Sequence, residues 1–138
     1  MKRRMVWRYW CEFCGKGGCS AGHMERHEAA CTANPGRVCR MCANTGTTQA
    51  PMAELVAIAS ETCSTDAERV ALVSKIEAAA DGCPVCVFAA IRQAGRVSGK
   101  FKAAGDNFEC VDPGLPFDLK TRLREKWAEV DALRAECY

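Results

Sequence analysis

The sequence has little of what catalysis requires. Histidine occurs only twice, at His23 and His27, and both lie in one short segment. The chain contains no glycine-rich phosphate loop, no His-Glu-x2-His pair and no nucleophile elbow. Those arrangements position phosphates, catalytic metals and nucleophilic serines. Their absence argues against the common hydrolase and nucleotide-dependent classes, and we expect a protein that is not an enzyme.

Long apolar runs are also missing. No stretch approaches the ~18 consecutive apolar residues that cross a bilayer, so we expect no membrane association. The basic residues Lys2, Arg3 and Arg4 are followed by a largely apolar segment that Arg8 interrupts. Neither the apolar core nor the small-residue cleavage site of a secretory signal is present. We therefore expect a cytoplasmic protein whose cysteines are kept reduced.

The composition is that of a folded chain of modest charge. Its 138 residues are 49% hydrophobic and 26% charged, which allows a sizeable core and argues against disorder. The net charge of +2 does not by itself indicate nucleic acid, but residues 1–50 carry eight Lys and Arg against three acidic residues. Residues 101–138 carry six against eight. The basic end is either a solvated terminus or a contact surface for phosphate or an acidic protein.

Cysteine is the residue in excess, with 11 in the chain. In a reducing compartment, cysteines at paired spacings favour zinc over disulfides. The first set reads Cys11-x2-Cys14-x12-His27-x3-Cys31. A tight turn can point two thiolates that are two residues apart at one ion, and a four-residue step on a helix puts two ligands on one face. This spacing predicts a zinc site.

Two other residues are rivals for that site. His23 forms a His-x3-His pair with His27, and Cys19 lies between the two halves of the motif. Pairing His23 with His27 shortens the central spacing to eight residues and leaves Cys31 without a role. We therefore favour His27 and Cys31, and expect His23 to be an exposed helix residue.

Residues 9–31 resemble the C2H2-type zinc fingers, in the variant whose last ligand is cysteine. Tyr9 stands where the family has an aromatic residue before the first cysteine, and Met24 takes the apolar helix position before the histidine. The resemblance implies a ββα fold, a structural zinc ion and docking on nucleic acid. It also implies the contact residues, which are Ser20, His23 and Arg26 toward bases, and Arg3, Arg4, Arg8 and Lys16 toward phosphates.

Two features depart from that family. Its core aromatic residue would fall at Gly18, so we expect Phe13, Trp10 or Cys19 to fill the space. The linker that joins consecutive DNA-reading fingers is absent, and Thr-Ala-Asn-Pro stands at 32–35 instead. A single finger reads only ~3 bp, so specific binding requires a dimer or added contacts.

A second set consists of two Cys-x2-Cys pairs, Cys39 with Cys42 and Cys83 with Cys86. Together they supply the four ligands of a second zinc site, so we expect about two zinc ions per chain. The competing interpretation of Cys83-Pro-Val-Cys86 is a thiol-disulfide oxidoreductase motif. That motif normally follows a β-strand, whereas this one follows a predicted helix.

Three further cysteines have no partner at a paired spacing, and we expect them to be small buried residues. They are Cys63, Cys110 and Cys137. The sequence leaves open whether Cys110 or Cys63 replaces a ligand of the second site.

The expected fold is mainly α, small and stabilised by zinc, with an N-terminal ββα finger followed by a helical domain that shares the four-cysteine site. A change from Cys- and Gly-rich to Ala-rich sequence divides the chain into residues 1–46, the finger and knuckle, and residues 47–138, the helical domain. Residues 96–116 are expected to form turns and a hairpin, with apolar residues Val97, Phe101, Phe108 and Val111.

Four helices are predicted in the helical domain. The first carries Met52 and Leu55, the second starts at a capping box of Thr65 and Glu68, and the third opens at Cys83. The last covers 119–137 after an Asp118 cap. Two faces are expected to be buried: Val70, Val73, Ile76 and Ala80 on the second helix, and Leu119, Leu123, Trp127, Val130 and Leu133 on the last. The alternative for the last helix is a seam for a homodimer or a partner protein.

Two functions fit these features. The first is nucleic-acid binding by the finger and its basic arm, with Trp7, Tyr9 and Trp10 available to stack on single-stranded bases. The second is a zinc-stapled module that binds another protein, as an adaptor or an inhibitor. The Trp-Cys-Glu-Phe-Cys-Gly-Lys segment and the Asn-Pro-Gly-Arg-Val-Cys-Arg-Met-Cys segment make the chain similar to uncharacterised zinc-finger proteins of tailed phages. That resemblance implies no activity of its own, and the second function includes both an adaptor and a phage-encoded inhibitor of a host protein.

Overall fold

A computed structural model describes residues 1–97 and 114–136, and its secondary structure is mainly helical. A two-stranded antiparallel sheet pairs β1 (Tyr9–Trp10) with β2 (Gly17–Gly18). Six helices follow in the described parts: α1 (Ala21–Ala30), α2 (Arg40–Thr45), α3 (Met52–Ala59), α4 (Asp66–Ala79), α5 (Pro84–Gln93) and α6 (Leu119–Glu136). This confirms the predicted fold class, a ββα finger followed by helices.

The finger is held by short local contacts. Ser20 caps α1, because its hydroxyl accepts the His23 amide at 3.4 Å. The Glu28 carboxylate on α1 accepts the Glu12 amide of the hairpin at 2.8 Å. The buried side chains are few: Met24, Ala33 and three cysteines, with Phe13 packed against them. So small a core cannot stabilise the unit alone.

Met24 packs beside Gly18, the position at which the resemblance to C2H2-type zinc fingers predicts an aromatic residue. A Cβ at Gly18 would lie 3.0 Å from the Met24 sulfur, so the thioether packs directly on the glycine backbone. Phe13 contributes from the side, whereas Trp10 and Cys19 are exposed. The expectation that Trp10 or Cys19 fills this space is wrong.

The helical part is built around α5, which contacts α3, α4 and α6. Pro84 stands in its first turn, and Gly95 ends it with a φ of 72°. The core also contains Cys39, Met41 and Cys42, so the α2 segment packs into the same cluster as the later helices. The division at residue 46 remains a prediction.

Helix α4 begins at the predicted capping box. The Thr65 hydroxyl accepts the Glu68 amide at 3.2 Å, and the Glu68 carboxylate accepts the Thr65 amide at 3.1 Å. Its buried face includes Val73 and Ile76 as expected, but Val70 is exposed. Near the start of α4, Arg69 is partly buried and Val70 is exposed, so Arg69 rather than Val70 continues the face that packs on the core.

Helix α6 is less buried than its apolar stripe predicts. Leu123 packs partly against the core, but Trp127 is 40% exposed and Leu133 is 63% exposed. An ion pair of Arg122 with Glu77, at 3.0 Å, joins the first half of α6 to α4. The second half extends beyond these contacts, so the expectation that the whole stripe is buried is wrong.

The described residues add two further observations. Leu115 is buried, and its amide donates to the Arg96 carbonyl at 3.1 Å. The predicted hairpin around Phe101, Phe108 and Val111 lies outside the described residues, as do Cys110 and Cys137. In the described ranges, every helix is too short or too polar to cross a bilayer.

Candidate metal centres

The first cluster brings together Cys11, Cys14, His27 and Cys31. Their ligand atoms all lie within 4.8 Å of one another. The two hairpin cysteines sit on a tight turn, in which the Cys11 amide donates to the Lys16 carbonyl at 2.8 Å and the Gly15 amide donates to the Cys11 carbonyl at 2.9 Å. Helix α1 carries His27, and Cys31 follows one turn later. The turn and the helix thus aim four ligands at one point.

The environment of this cluster favours the forms that bind a metal. Burial lowers the pKa of His27, and the nearby Lys16 charge lowers it further, which favours the neutral imidazole that binds a metal. Burial alone would raise the pKa of Cys14, but hydrogen bonds from the Lys16 backbone and the Cys11 and Cys31 side chains bring that pKa below its ordinary value. His27 Nε2 lies 3.2 Å from Cys14 Sγ.

Cys31 is the thiol that most needs a cation in the first cluster. Burial raises its pKa to about 11, and the neighbouring Cys14 raises it as well. Crowded thiolates repel one another in a site of low dielectric. A divalent ion at the centre would reverse this balance and hold all of them deprotonated.

The second cluster brings together Cys39, Cys42, Cys83 and Cys86, all buried and all within 4.8 Å of one another. Cys39 precedes α2 and Cys83 precedes α5, so each pair lies at a helix start, where amide groups stabilise thiolates. The Cys42 amide donates to Cys39 Sγ at 3.5 Å. The two pairs therefore meet across the core, although 40 residues separate them in the sequence.

The charges of the second cluster are strongly interdependent. Hydrogen bonds from Cys83 and Cys86 lower the pKa of Cys39. Burial raises the pKa of Cys42 to about 12, and the neighbouring Cys39 and Cys83 side chains raise the pKa of Cys86. Four thiolates cannot coexist here without a cation at their centre.

Both clusters fit zinc by chemistry and by size. Tetrahedral coordination at Zn–S distances of ~2.3 Å places sulfur atoms about 3.8 Å apart. In the second cluster Cys39 Sγ and Cys83 Sγ are 3.6 Å apart, and so are Cys42 Sγ and Cys86 Sγ. The first cluster offers three cysteines and a histidine, and the second offers four cysteines. The two clusters are thus compatible with two zinc ions.

Two polar residues that the sequence did not single out support the second cluster. Arg37 is buried and donates from Nη1 to Cys86 Sγ at 3.8 Å. Gln49 accepts the Cys39 amide at 2.6 Å and donates to the Arg37 carbonyl at 2.9 Å. The position of Arg37 close to Cys39 in the sequence could have indicated that Arg37 supports the cluster. No feature of the sequence indicated that Gln49 does so.

Among the described residues, two cysteines belong to neither metal centre. Cys63 packs against the helical core, and Cys19 is exposed beside the finger. The Cys83-Pro-Val-Cys86 pair is buried with Cys39 and Cys42, which is unfavourable for a redox dithiol that must meet a partner thiol.

A cleft of about 640 Å³ adjoins the finger. We call it the basic cleft, because its charged lining residues are Lys16, Arg26, Arg40 and Arg92, and among the described residues no carboxylate lines it. Within residues 1–97 and 114–136, Lys16, Arg26 and Arg40 form no ion pair. Cys31 and His27 of the first cluster also line the cleft, and a zinc ion held by three thiolates would carry one net negative charge. The four cations outnumber that charge, so the lining favours anions.

The predicted nucleic-acid contacts divide into two groups. Lys16, Ser20, His23 and Arg26 all line the basic cleft. The arginines of the N-terminal arm lie on exposed chain before β1 and do not line it, namely Arg3, Arg4 and Arg8. Sequence reasoning missed Arg40 and Arg92, and nothing in the sequence indicated that Arg92 of α5 would approach the finger.

The finger is fixed to the helical part along the floor of the cleft. Arg40 Nη2 donates to the Arg26 carbonyl at 2.9 Å, Arg92 Nη1 donates to the Thr32 hydroxyl at 2.8 Å, and Gln93 donates to the Thr32 carbonyl at 3.0 Å.

Comparisons with protein-family models, with curated proteins and with solved structures find no match to this chain. The likeness to zinc fingers thus rests on the ββα element and its cluster of ligands.

Proposed function

We propose that this chain is a zinc-stabilised protein that binds nucleic acid through the basic cleft. The observation that carries the proposal is the cleft lining, in which Lys16, Arg26 and Arg40 converge without a carboxylate from the described residues. Phosphate contacts supply most of the affinity of sequence-independent nucleic-acid binding. A cleft of one sign concentrates such contacts along one path.

The zinc ions have a structural role in this proposal. Cys11, Cys14, His27 and Cys31 would hold one, and the four cysteines of the second cluster would hold the other. Each ion would then be fully ligated by protein, which leaves no position for a reactive water. We therefore propose that the chain is a binding protein and not an enzyme.

The finger and helical part would then act as one surface. The finger contributes Lys16 and Arg26, while α2 contributes Arg40. The hydrogen bond from Arg40 to the backbone carbonyl of Arg26 holds the Arg40 guanidinium against α1. Pre-organised cations lose less entropy on binding a phosphate chain than side chains on a mobile arm.

The proposal is tested by measuring binding to heparin and to mixed nucleic acids over a salt series. Affinity should fall steeply with salt, and Lys16→Met or Arg26→Met should each lower the salt slope by about one. Arg124→Met is the matched control, since Arg124 is exposed on α6 and does not line the cleft. Absence of binding at low salt, or equal effects of all three variants, would refute the proposal.

A second candidate function is a protein-interaction module, which the exposed apolar residues of α6 favour. On α6, Trp127 is 40% exposed and Leu133 is 63% exposed. A partner protein or a second copy of the chain would cover them, and a homodimer would form through this helix. Sedimentation of the wild type and of Trp127→Glu tests the homodimer, since only the wild type should form it. A monomeric wild type excludes self-association and leaves a different partner protein.

A further inference from the structure

The surface of α1 that reads bases in C2H2 fingers lies inside a concavity in this protein. His23 and Arg26 line the basic cleft together with Arg40 from α2 and Arg92 from α5. Reading duplex DNA requires a helix that projects into a major groove ~12 Å wide, which a helix ~10–12 Å across nearly fills. Here α1 does not project alone, because α2 and α5 line the same cleft. This arrangement favours a single strand, which is narrower than a duplex.

The exposed indole of Trp10 does not line the cleft itself, but it packs on Gly17, which does, and we call this position the rim of the cleft. Trp10 is 60% exposed, and a Cβ placed on Gly17 would lie 2.5 Å from its Cζ3 atom. The ring therefore packs directly on the Gly17 backbone, and Gly17 lines the cleft. Only a glycine permits this approach, and it leaves much of the indole open to solvent.

Further aromatic and basic residues continue along the chain from that indole. Trp7 is 84% exposed and Tyr9 is exposed as well, with Arg8 between them. Aromatic platforms beside a cationic groove are how proteins hold single strands, because each base has a face that stacks and each phosphate needs a cation. A base pair inside a duplex offers no such face to a side chain.

We infer that the basic cleft binds single-stranded nucleic acid in preference to duplex, with an unpaired base stacked on Trp10 at the rim and phosphates on Lys16, Arg26 and Arg40. The inference rests on the proposed function of the cleft and adds the class of ligand. DNA and RNA share the chemistry on which it depends, which is a flexible phosphate chain with unstacked bases.

The first experiment compares ligands on the intact zinc-loaded protein by fluorescence anisotropy. The probes are one mixed-sequence strand, its duplex, and the same strand with abasic positions, each in deoxyribose form, and the first two also in ribose form. The single strand should bind about tenfold or more tightly than the duplex. The abasic strand should lose about fivefold or more, because it keeps the phosphates but has no base to stack.

The second experiment tests whether Trp10 is the residue on which the unpaired base stacks. Trp10→Ala should weaken single-strand binding by about fivefold or more, while Leu133→Ala, which removes an exposed apolar side chain near the end of α6, should leave it unchanged. Gly17→Ala keeps every aromatic and charged group but displaces the Trp10 ring, so it should weaken binding as well. Gly22→Ala is its control, since nothing lies within 4 Å of the Cβ it adds.

The outcomes separate this inference from the proposed function. Equal affinity for strand and duplex, or Trp10→Ala and Gly17→Ala variants that bind like wild type, would overturn the inference and leave nucleic-acid binding intact. A wild-type protein that binds neither single strands nor duplexes would overturn both the inference and the proposed function. Zinc content measured for each variant identifies those that keep both metal centres, and only these are compared. A preference for the ribose or deoxyribose strand identifies the natural ligand.

Discussion

The guanidinium of Arg37 donates from Nη1 to Sγ of Cys86 at 3.8 Å, inside a core where Arg37 is only 5% exposed. A zinc ion held by four thiolates carries two net negative charges, and a buried cation beside it offsets part of that charge. The Nε of Arg37 also approaches the Ala30 carbonyl at the end of α1, at 3.4 Å. One side chain thus connects the finger to the second cluster.

Arg37→Met should destabilise the second metal centre. Loss of a buried, charged hydrogen-bond donor to a thiolate should cost about 1.5–3 kcal/mol and speed zinc transfer to a chelator. Arg124→Met is the control, because Arg124 is exposed on α6 and its loss should change stability by no more than about 0.5 kcal/mol. Thermal unfolding and chelator competition measure both variants. Equal behaviour of the two would show that Arg37 does not support the cluster.

Chelation under reducing conditions should unfold the finger before the helices. The finger core contains two buried side chains other than its cysteines, Met24 and Ala33, so the finger needs ~10 kcal/mol or more of metal-binding free energy. By contrast, α4 keeps its capping box and an apolar face that includes Val73 and Ile76. Hydrogen exchange should lose protection around residues 11–31 and keep part of it around 70–76. A finger that stays fully protected without metal would contradict a structural role for zinc.

Local sequence patterns predict the parts of the protein whose geometry depends on residues close together in the chain. The eight residues of the two clusters follow from Cys-x2-Cys and His-x3-Cys spacing, and the α4 start follows from Thr65 and Glu68 three residues apart. Each of these depends on a turn or a cap whose geometry the neighbouring residues determine.

The parts that the sequence does not predict depend on contacts between distant segments. The basic cleft needs Arg92 beside the finger, across 60 residues of chain. The apolar residues along α6 predict that this face is buried. Whether they are buried depends on how far the core of the other helices extends beneath α6. At Gly18, the pattern shows a missing aromatic residue, whereas only the packed structure shows Met24 in its place.

The Glu68 carboxylate gives the protein a pH dependence at the start of α4. It accepts the amides of Ser64 and Thr65, at 2.5 and 3.1 Å, and these hydrogen bonds hold its pKa below the ordinary value for glutamate. A folded-state pKa below the unfolded value means that the stabilisation is present above the ordinary pKa and is lost as pH falls through the lowered one. An NMR titration of this carboxyl should show the low pKa.

Glu68→Gln provides the matched comparison for that prediction. The variant should unfold at a lower temperature than wild type at neutral pH, and the difference should shrink as pH falls through the lowered pKa. A difference that does not change with pH would mean that the charge of Glu68 is irrelevant to the cap.

The choice of the fourth ligand of the first cluster can be tested with two substitutions. Cys31→Ser should lose one zinc ion, because Cys31 lies in the cluster with Cys11, Cys14 and His27. His23→Ala should keep both ions, since His23 is exposed in the basic cleft and is not part of the cluster. Zinc content per chain measures both variants. Equal loss from the two would reject this assignment.

Native mass spectrometry of the freshly purified, reduced protein counts the metal ions that each chain holds. We expect two zinc ions per chain, one of them lost in Cys31→Ser and the other lost in Cys83→Ser, with none retained in the double variant. A wild-type chain that carries no zinc, or one ion that persists in both single variants, would contradict the assignment of the two clusters as separate zinc sites.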